Sequence, residues 1–136
     1  MGIPYVTDID PRYGTAVEVT PTIRRVVANN PGRFTFTGTG TYIVGRGQVA
    51  VIDPGPEDDE HVASILSAVG GEEITHIVVT HTHRDHSPAS RPLQTATGAP
   101  IYGFGGILPP LKMQRLEPNQ QLGILYFLLR KSWRNF

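Results

Sequence analysis

Four side chains that can bind metal ions lie within six residues of one another, in the stretch VVTHTHRDHSPAS. They are His81, His83, Asp85 and His86, in the pattern H-x-H-x-D-H. Imidazole and carboxylate groups suit zinc, iron or manganese, and such metals can lower the pKa of a bound water until hydroxide exists near neutral pH. The spacing therefore indicates a metal site. The alternative is a polar loop with incidental histidines.

The pattern also predicts how these ligands are shared. Side chains at i and i+2 of an extended segment point the same way, so His81 and His83 can converge on one metal ion. Asp85 and His86 lie where the loop turns toward Ser87, and that turn could direct them to a second ion, about 3.5–4 Å away in typical two-metal sites. Loops beyond the carboxyl ends of strands are also where α/β sheets usually bind ligands.

The elements around the cluster read as strands and helices. PTIRRVVANN predicts a strand, and the β-branched runs TYIVG and VAVID flank a short glycine-containing turn that predicts a hairpin. EDDEHVASILSAVGG has the apolar period of a helix that ends at its two glycines. The apolar run ITHIVVT predicts a strand buried on both faces. Strand, helix and strand in this order imply a parallel crossover.

A second helix is predicted directly after the cluster. Ser87 is a good N-cap and Pro88 fits the first helical position, so the helix should run to about Thr97 and stop at Gly98. A short strand, PIYGF, follows. Past Phe104 the pattern weakens, although LGILYFLLRKSWRNF could form a short helix that is apolar and then basic.

The two remaining histidines are expected to have no role in the chemistry. His61 lies among acidic residues at a helix start, which predicts a solvated side chain. His76 lies near the beginning of a strand, which predicts a structural role. Asp53 lies at the end of the second strand of the hairpin. It could either support a site or simply be a polar residue of the turn that ends the strand.

Composition narrows the classes of protein. The chain has 136 residues and no cysteine, which excludes disulfides and thiolate metal sites. No secretory signal and no apolar run of membrane-spanning length is visible, so a cytoplasmic protein is expected. The net charge is zero, but Met1–His86 carries six basic and eleven acidic side chains, whereas the remainder carries six basic side chains and one acidic. Such asymmetry can indicate a basic partner-binding tail.

The cluster resembles the signature motif of the metallo-β-lactamase-fold hydrolases, and GTGTYIVGRGQVAVIDPGP resembles the hairpin and Asp-containing turn before it. The likeness covers about residues 22–104, in the lactamase-β-like branch related to hydroxyacylglutathione hydrolases. It implies an α/β fold, the N-terminal half of an αββα sandwich. It also implies that His81 and His83 bind the first zinc and that Asp85 and His86 bind the second zinc. Asp53 would contact these ligands and orient them without binding zinc itself. Asp85 would in addition orient the water that attacks an ester, a thioester or RNA.

The chain also departs from this family. The family's three later metal ligands are expected beyond His86, where the chain has no histidine and Glu117 is its only carboxylate side chain. We therefore expect a partial domain over 1–105 and a divergent tail over 106–136, as a frameshift or truncation would produce; a real but divergent tail is the competing view. The expected function is a zinc hydrolase weakened by missing ligands, unless a partner chain completes the site. The alternative is a non-catalytic module that binds through its basic and apolar tail.

Overall fold

One mixed sheet forms the centre of the molecule in this computed structural model, which describes residues 7–103 and the backbone of 114–115. Its strands lie side by side in chain order: β1 (Val17–Thr20), β2 (Ile23–Val27), β3 (Gly40–Arg46), β4 (Gln48–Ile52), β5 (Glu73–Val79), β6 (Ile101–Gly103) and β7 (Gln114–Arg115). The pairs up to β4 are antiparallel, and those from β4 onward are parallel. Together with the two helices found among the described residues, the sheet gives the α/β class that the sequence predicts.

The predicted hairpin is β3 and β4. Arg46 pairs with Gln48 across a turn of one residue, and that residue, Gly47, has a φ of 72°. This left-handed conformation is accessible to glycine without a steric cost. The hairpin is confirmed in both strands and in its turn.

The predicted parallel crossover is also present, because α1 (Asp59–Val69) connects β4 to β5, and these strands pair in parallel. Asp58 is the N-cap, with its carboxylate accepting from the backbone N–H groups of Glu60 and His61. Gly70, in the left-handed conformation, ends the helix. A side-chain cap at one end and a glycine at the other fix the length of α1.

The core lies between one face of the sheet and the two helices. Strand register aligns Ile43, Val51, Ile77 and Ile101 in a single row across β3, β4, β5 and β6. Each of these four side chains is at most 2% exposed. Ile65 and Val69 of α1 and Leu93 of the second helix pack against this face. The helices thus bury one face of the sheet by covering it with apolar side chains.

The opposite face of the sheet carries a second row, in which Tyr42, Ile52, Val78 and Tyr102 are aligned by the same pairings. Tyr42 is 38% exposed, and the other three are half-buried. The prediction that β5 is buried on both faces therefore holds fully only for the helix side. On the other side His76 and Val78 are half-buried.

The second helix, α2 (Ser90–Thr97), begins later than predicted. Ser87 is not its N-cap; the N-cap is Ala89, which makes no side-chain capping bond. The reason is that the backbone N–H of Ala89 donates to the carbonyl of Gly55, so the preceding residues form turns held by another loop. The end of the helix at Thr97 and Gly98 agrees with the prediction.

Two predictions fall on the C-terminal residues. The short apolar-then-basic helix lies outside the described residues. The division at residue 105 stays a prediction, although β7, inside the expected tail, pairs in parallel with β6. Within the part of the chain that the structure describes, no helix is long and apolar enough to cross a bilayer.

Candidate metal site

The metal-ligand candidates lie at the carboxyl ends of two neighbouring parallel strands. Asp53 directly follows β4, and the loop that contains the three histidines and Asp85 follows β5. Because β4 and β5 run side by side in the same direction, residues far apart in the chain meet at one edge of the sheet. This is the place where α/β sheets commonly bind ligands.

Asp53 is the buried anchor of this edge, with only 8% of its surface exposed. Its backbone has a φ of 48°, a conformation that few residues other than glycine adopt and that Asp tolerates better than most. Its N–H donates to the carbonyl of Val78 at 2.8 Å. Its carboxylate accepts two bonds from Thr80, one from the backbone N–H at 2.8 Å and one from the hydroxyl at 2.7 Å. The carboxylate is therefore fixed in direction.

Thr80 in turn orients His81. The Thr80 hydroxyl lies 2.9 Å from His81 Nδ1, but its single proton goes to the Asp53 carboxylate, which is the stronger acceptor. The hydroxyl oxygen then accepts from Nδ1–H of His81. In a neutral ring this leaves the lone pair on Nε2. A partner that holds one ring nitrogen as N–H is what prepares the other nitrogen for metal binding.

His86 lies between two carboxylates. Its Nδ1 is 3.1 Å from Asp53 Oδ2, and its Nε2 is 3.2 Å from Asp85 Oδ2. A divalent cation placed among these atoms would be attracted by both carboxylates and could accept a lone pair from the ring, so the donor set suits a metal ion.

The three imidazoles of the motif also lie together. The ring centroid of His81 is 4.7 Å from that of His83 and 4.1 Å from that of His86. His81 and His83 are exposed, whereas Asp85 and His86 are half-buried. The structure thus gathers all five predicted site residues into one patch at the sheet edge.

Among the five predicted site residues, three bring their metal-ligand atoms closest together. One atom each from Asp53, His81 and His86 lies within 4.8 Å of the others. Two imidazoles and a carboxylate are a donor set that suits zinc, iron or manganese, so the residues fit a divalent metal. This trio differs from the predicted pairing of His81 with His83 and of Asp85 with His86. That pairing, and the assignment of Asp53 to a supporting role, stay predictions.

The two loops that carry the site are joined through their backbones. The N–H of Gly55 donates to the carbonyl of His86 at 3.0 Å, and the N–H of Ala89 donates to the carbonyl of Gly55 at 3.1 Å. Within the motif, the N–H groups of His86 and Ser87 both donate to the carbonyl of His83. These bonds hold the turn that brings Asp85 and His86 back toward Asp53.

One histidine differs from its prediction. His61, expected to be solvated, is only 3% exposed, because it lies on the face of α1 that packs on the sheet. Burial lowers the pKa of its imidazole, and the nearby carboxylate of Asp58 opposes that effect only in part. His76 is half-buried and its ring lies 5.3 Å from that of Tyr102, which agrees with a structural role; burial lowers its pKa too.

The sequence did not single out the two threonines of this edge. Thr80 contacts Asp53 and His81, and Thr41 contacts Asp53 and His61. The position of Thr80 directly before the motif was an available signal, whereas Thr41 gave none. A cavity of about 430 Å³ lies elsewhere, at the other end of β5, with Leu66, Ile74 and Pro100 in its lining.

Comparisons with known proteins identify the family of the chain. The family model of the metallo-beta-lactamase superfamily matches residues 34–135. The lactamase-like protein adaB of Aspergillus niger is 36% identical over 80 residues, which are 57% of this chain and 25% of that protein. Atrochrysone carboxyl ACP thioesterase of Claviceps purpurea is 39% identical over 85 residues, which are 60% of this chain and 27% of that protein. The chain spans about a quarter of the length of these relatives.

Solved structures show the same fold. A beta-lactamase domain protein from Burkholderia ambifaria matches 73% of this chain and 33% of its own with a TM-score of 0.59 at 21% identity. ETHE1 from Myxococcus xanthus matches 68% of this chain and 39% of its own with a TM-score of 0.53 at 28% identity. The predicted fold, part of a metallo-β-lactamase-type domain, is confirmed. With a family model matched over most of its length, this chain belongs to the metallo-beta-lactamase superfamily.

Proposed function

We propose that this chain contributes the metal-binding edge of a metal-dependent hydrolase that cleaves thioesters of small-molecule acyl groups. The observation that carries the proposal is the convergence of ligand atoms from Asp53, His81 and His86 within 4.8 Å at the carboxyl ends of β4 and β5. Zinc is the first candidate for the ion, because nitrogen and oxygen ligands of this kind suit it.

Each residue has a part in this proposal. His81 and His86 would bind the ion through imidazole nitrogens, with His83 and Asp85 as the further ligands that the motif offers. The bound ion would supply an activated water at neutral pH and polarise the substrate carbonyl. Asp85 would orient that water through its half-buried carboxylate, and Asp53 would fix His86 and, through Thr80, His81.

A thioester is favoured among the predicted substrates by the relatives. Several of the similar proteins, from different fungi, are named atrochrysone carboxyl ACP thioesterases. The similarity covers about a quarter of each of them. Cleavage of a thioester releases a thiol, and because the chain has no cysteine, that thiol can be detected without any background from the protein.

The test combines metal content with turnover on the purified full chain. Zinc is measured by atomic emission, and thiol release is followed with an aryl thioester of N-acetylcysteamine, alongside the matching oxygen ester. We expect bound zinc, thiol release that a chelator abolishes, and a loss of at least about 100-fold in the His81→Ala and Asp85→Ala variants. His76→Gln, which removes a histidine of β5 away from the cluster, is the matched control and should keep the wild-type rate.

The possible failures are distinct. Protein that binds no zinc, iron or manganese would defeat the metal site. Protein that binds metal at this edge but cleaves neither the thioester nor the ester would defeat the hydrolase proposal and leave a metal-binding module. Faster cleavage of the oxygen ester would retain the hydrolase and reject the thioester as its substrate.

A further inference from the structure

We infer that His61 and Thr41 are positioning residues for the carboxylate of Asp53, which they hold through its backbone from the helix-covered side of the sheet. The side chain of Thr41 contacts the backbone carbonyl of Asp53 and not its carboxylate, and the side chain of His61 contacts Thr41. Their effect would be transmitted through the peptide group of Asp53. The consequence for metal binding rests on the proposed function, but the positioning itself can be measured without any metal.

The hydrogen bonds run in one direction. Thr41 of β3 is fully buried, and its Oγ1 lies 2.8 Å from the carbonyl oxygen of Asp53 and 2.9 Å from Nε2 of His61. A carbonyl oxygen can only accept, and a hydroxyl has only one proton to donate. Thr41 therefore donates to Asp53, and its oxygen accepts from the Nε2–H group of His61. The order is His61 to Thr41 to Asp53.

Asp53 needs such support because of its backbone conformation. Its φ of 48° is unfavourable for a residue with a side chain, and it persists only where the surroundings impose it. The N–H of Asp53 is held by Val78 on one side, and its C=O is held by Thr41 on the other. Rotation of either peptide group would move the carboxylate away from Thr80 and His86.

The imidazole of His61 also supports the following turn by contact. A Cβ atom placed on Gly55, whose φ is 96°, would lie only 2.9 Å from Cδ2 of His61. The ring therefore packs directly against the glycine that continues the Asp53 turn. Gly55 is in turn the residue whose backbone joins this turn to His86 and Ala89. Helix α1 thus supports both loops of the site through one side chain.

The protonation state fits this arrangement. Burial lowers the pKa of His61, and the carboxylate of Asp58 offsets it only in part, so the ring is neutral near neutral pH. A neutral ring with its proton on Nε2 is the tautomer that the Thr41 contact requires. The position of His61 in the first turn of α1 is fixed by Asp58, whose carboxylate accepts from the backbone N–H of His61 at 3.3 Å.

The experiment measures hydrogen exchange of the Thr80 amide, which donates to Asp53 Oδ1, in the metal-free chain. In His61→Met we expect this amide to exchange at least about tenfold faster than in the wild type. His61→Gln, whose side-chain N–H can replace Nε2–H, should restore exchange to within about threefold. The amide of Ile77, which donates to Pro100, is the internal reference and should not change.

A second pair of variants covers the case in which His61→Met does not fold. Thr41→Val keeps the shape of the buried side chain and removes its hydroxyl, whereas Thr41→Ser keeps the hydroxyl. We expect Thr41→Val to behave as His61→Met does and Thr41→Ser to remain near the wild type. If the wild type binds zinc, the two disruptive variants should also lose about 10–100-fold in zinc affinity, and the two conservative variants should not.

The results separate the two proposals. Unchanged exchange at Thr80 in folded Thr41→Val and His61→Met would overturn the positioning role, as would unchanged zinc affinity in variants of a zinc-binding wild type. Faster exchange at Thr80 in a protein that binds no metal would support the positioning role and reject the metal site.

Discussion

Asp53 is held by two threonine–histidine pairs that use the same chemistry at opposite ends of the residue. Thr80 donates to the carboxylate of Asp53 and accepts from His81. Thr41 donates to the carbonyl of Asp53 and accepts from His61. In both pairs the single hydroxyl proton is committed to Asp53, and this decides which nitrogen of the histidine carries its proton. One pair faces the candidate metal site, and the other lies in the core.

The Thr80 pair gives a prediction at the residue scale. Thr80→Val removes the hydroxyl that fixes both the carboxylate of Asp53 and the tautomer of His81, so zinc affinity should fall by about 10–100-fold. Thr80→Ser keeps the hydroxyl and should stay near the wild type. Competition against a chromophoric chelator measures both affinities.

The control for Thr80→Val is Thr75→Val in the same strand, β5. Its hydroxyl donates to the carbonyl of Val49 at 3.2 Å, toward the other end of the strand from the site. Zinc affinity should be unaffected there. An equal loss in Thr75→Val and Thr80→Val would mean that both act by loosening the sheet, and the orienting role of Thr80 would be wrong.

At the scale of elements, one ion pair joins α1 and the start of β5 to the antiparallel part of the sheet. Arg24 of β2 pairs with Glu72, and it donates to the carbonyl of Ala68 near the end of α1. The second carboxylate oxygen of Glu72 accepts from the N–H of Gly47 in the hairpin turn at 2.6 Å. Arg24 is buried and Glu72 is half-buried. The ion pair between Arg24 and Glu72 thus fixes the crossover between β4 and β5 at the end of α1, away from the candidate metal site.

The pKa of Glu72 makes this link testable by pH. Burial alone would raise the pKa of its carboxyl, but the N–H of Gly47 and the guanidinium of Arg24 outweigh burial, so the pKa lies below the ordinary value of 4.5. A pKa that is lower in the folded state stabilises the protein above the unfolded pKa, and this stabilisation is lost as the pH falls through the folded pKa.

We therefore expect Glu72→Gln to lower the free energy of unfolding by about 1 kcal/mol at neutral pH. The difference from the wild type should shrink as the pH falls below 4.5 toward the folded pKa, where the wild-type carboxyl is protonated as well. Urea unfolding at a series of pH values measures this. The exposed neighbour Glu73, which accepts from Gln48, is the matched control. A difference that is constant with pH would show that the charge of Glu72 contributes nothing.

At the scale of the whole molecule, the site exists only because the sheet is folded. Asp53 and His86 are 33 residues apart in the chain and within hydrogen-bond distance in the structure. An unfolded chain cannot keep these groups together, so a metal ion that binds them should stabilise the folded state by mass action.

We expect added zinc to raise the thermal midpoint of the metal-free protein. At a free zinc concentration 100 times the Kd, the folded state should gain about 2.7 kcal/mol. His81→Ala should lose most of this gain, and His76→Gln should keep it. Differential scanning calorimetry with and without a chelator measures the shift. An equal shift in His81→Ala would mean that zinc binds outside the proposed cluster.

The sequence by itself predicted most of the elements around the site and proposed the candidate site residues. Hydrophobic period, turn glycines and the acidic start of α1 act locally, and they predicted the hairpin, α1 and the end of α2. The start of α2 was wrong because Ala89 bonds to Gly55, a residue distant in the chain that no local pattern reports. The prediction that His61 is solvated was wrong for a similar reason. Its acidic neighbours in the sequence suggested an exposed side chain, but the side chain faces the sheet.

Only the tertiary structure decided how the site is held. The pairing of β4 with β5 brings Asp53 against Thr80 and His86, and the packing of α1 on the sheet brings His61 against Thr41. Side-chain type and spacing in a chain encode what a residue can bind, but the distance between two loops depends on strands that pair over long separations. The motif therefore predicts which residues are metal-ligand candidates, whereas the pairing of the strands determines which of their atoms converge.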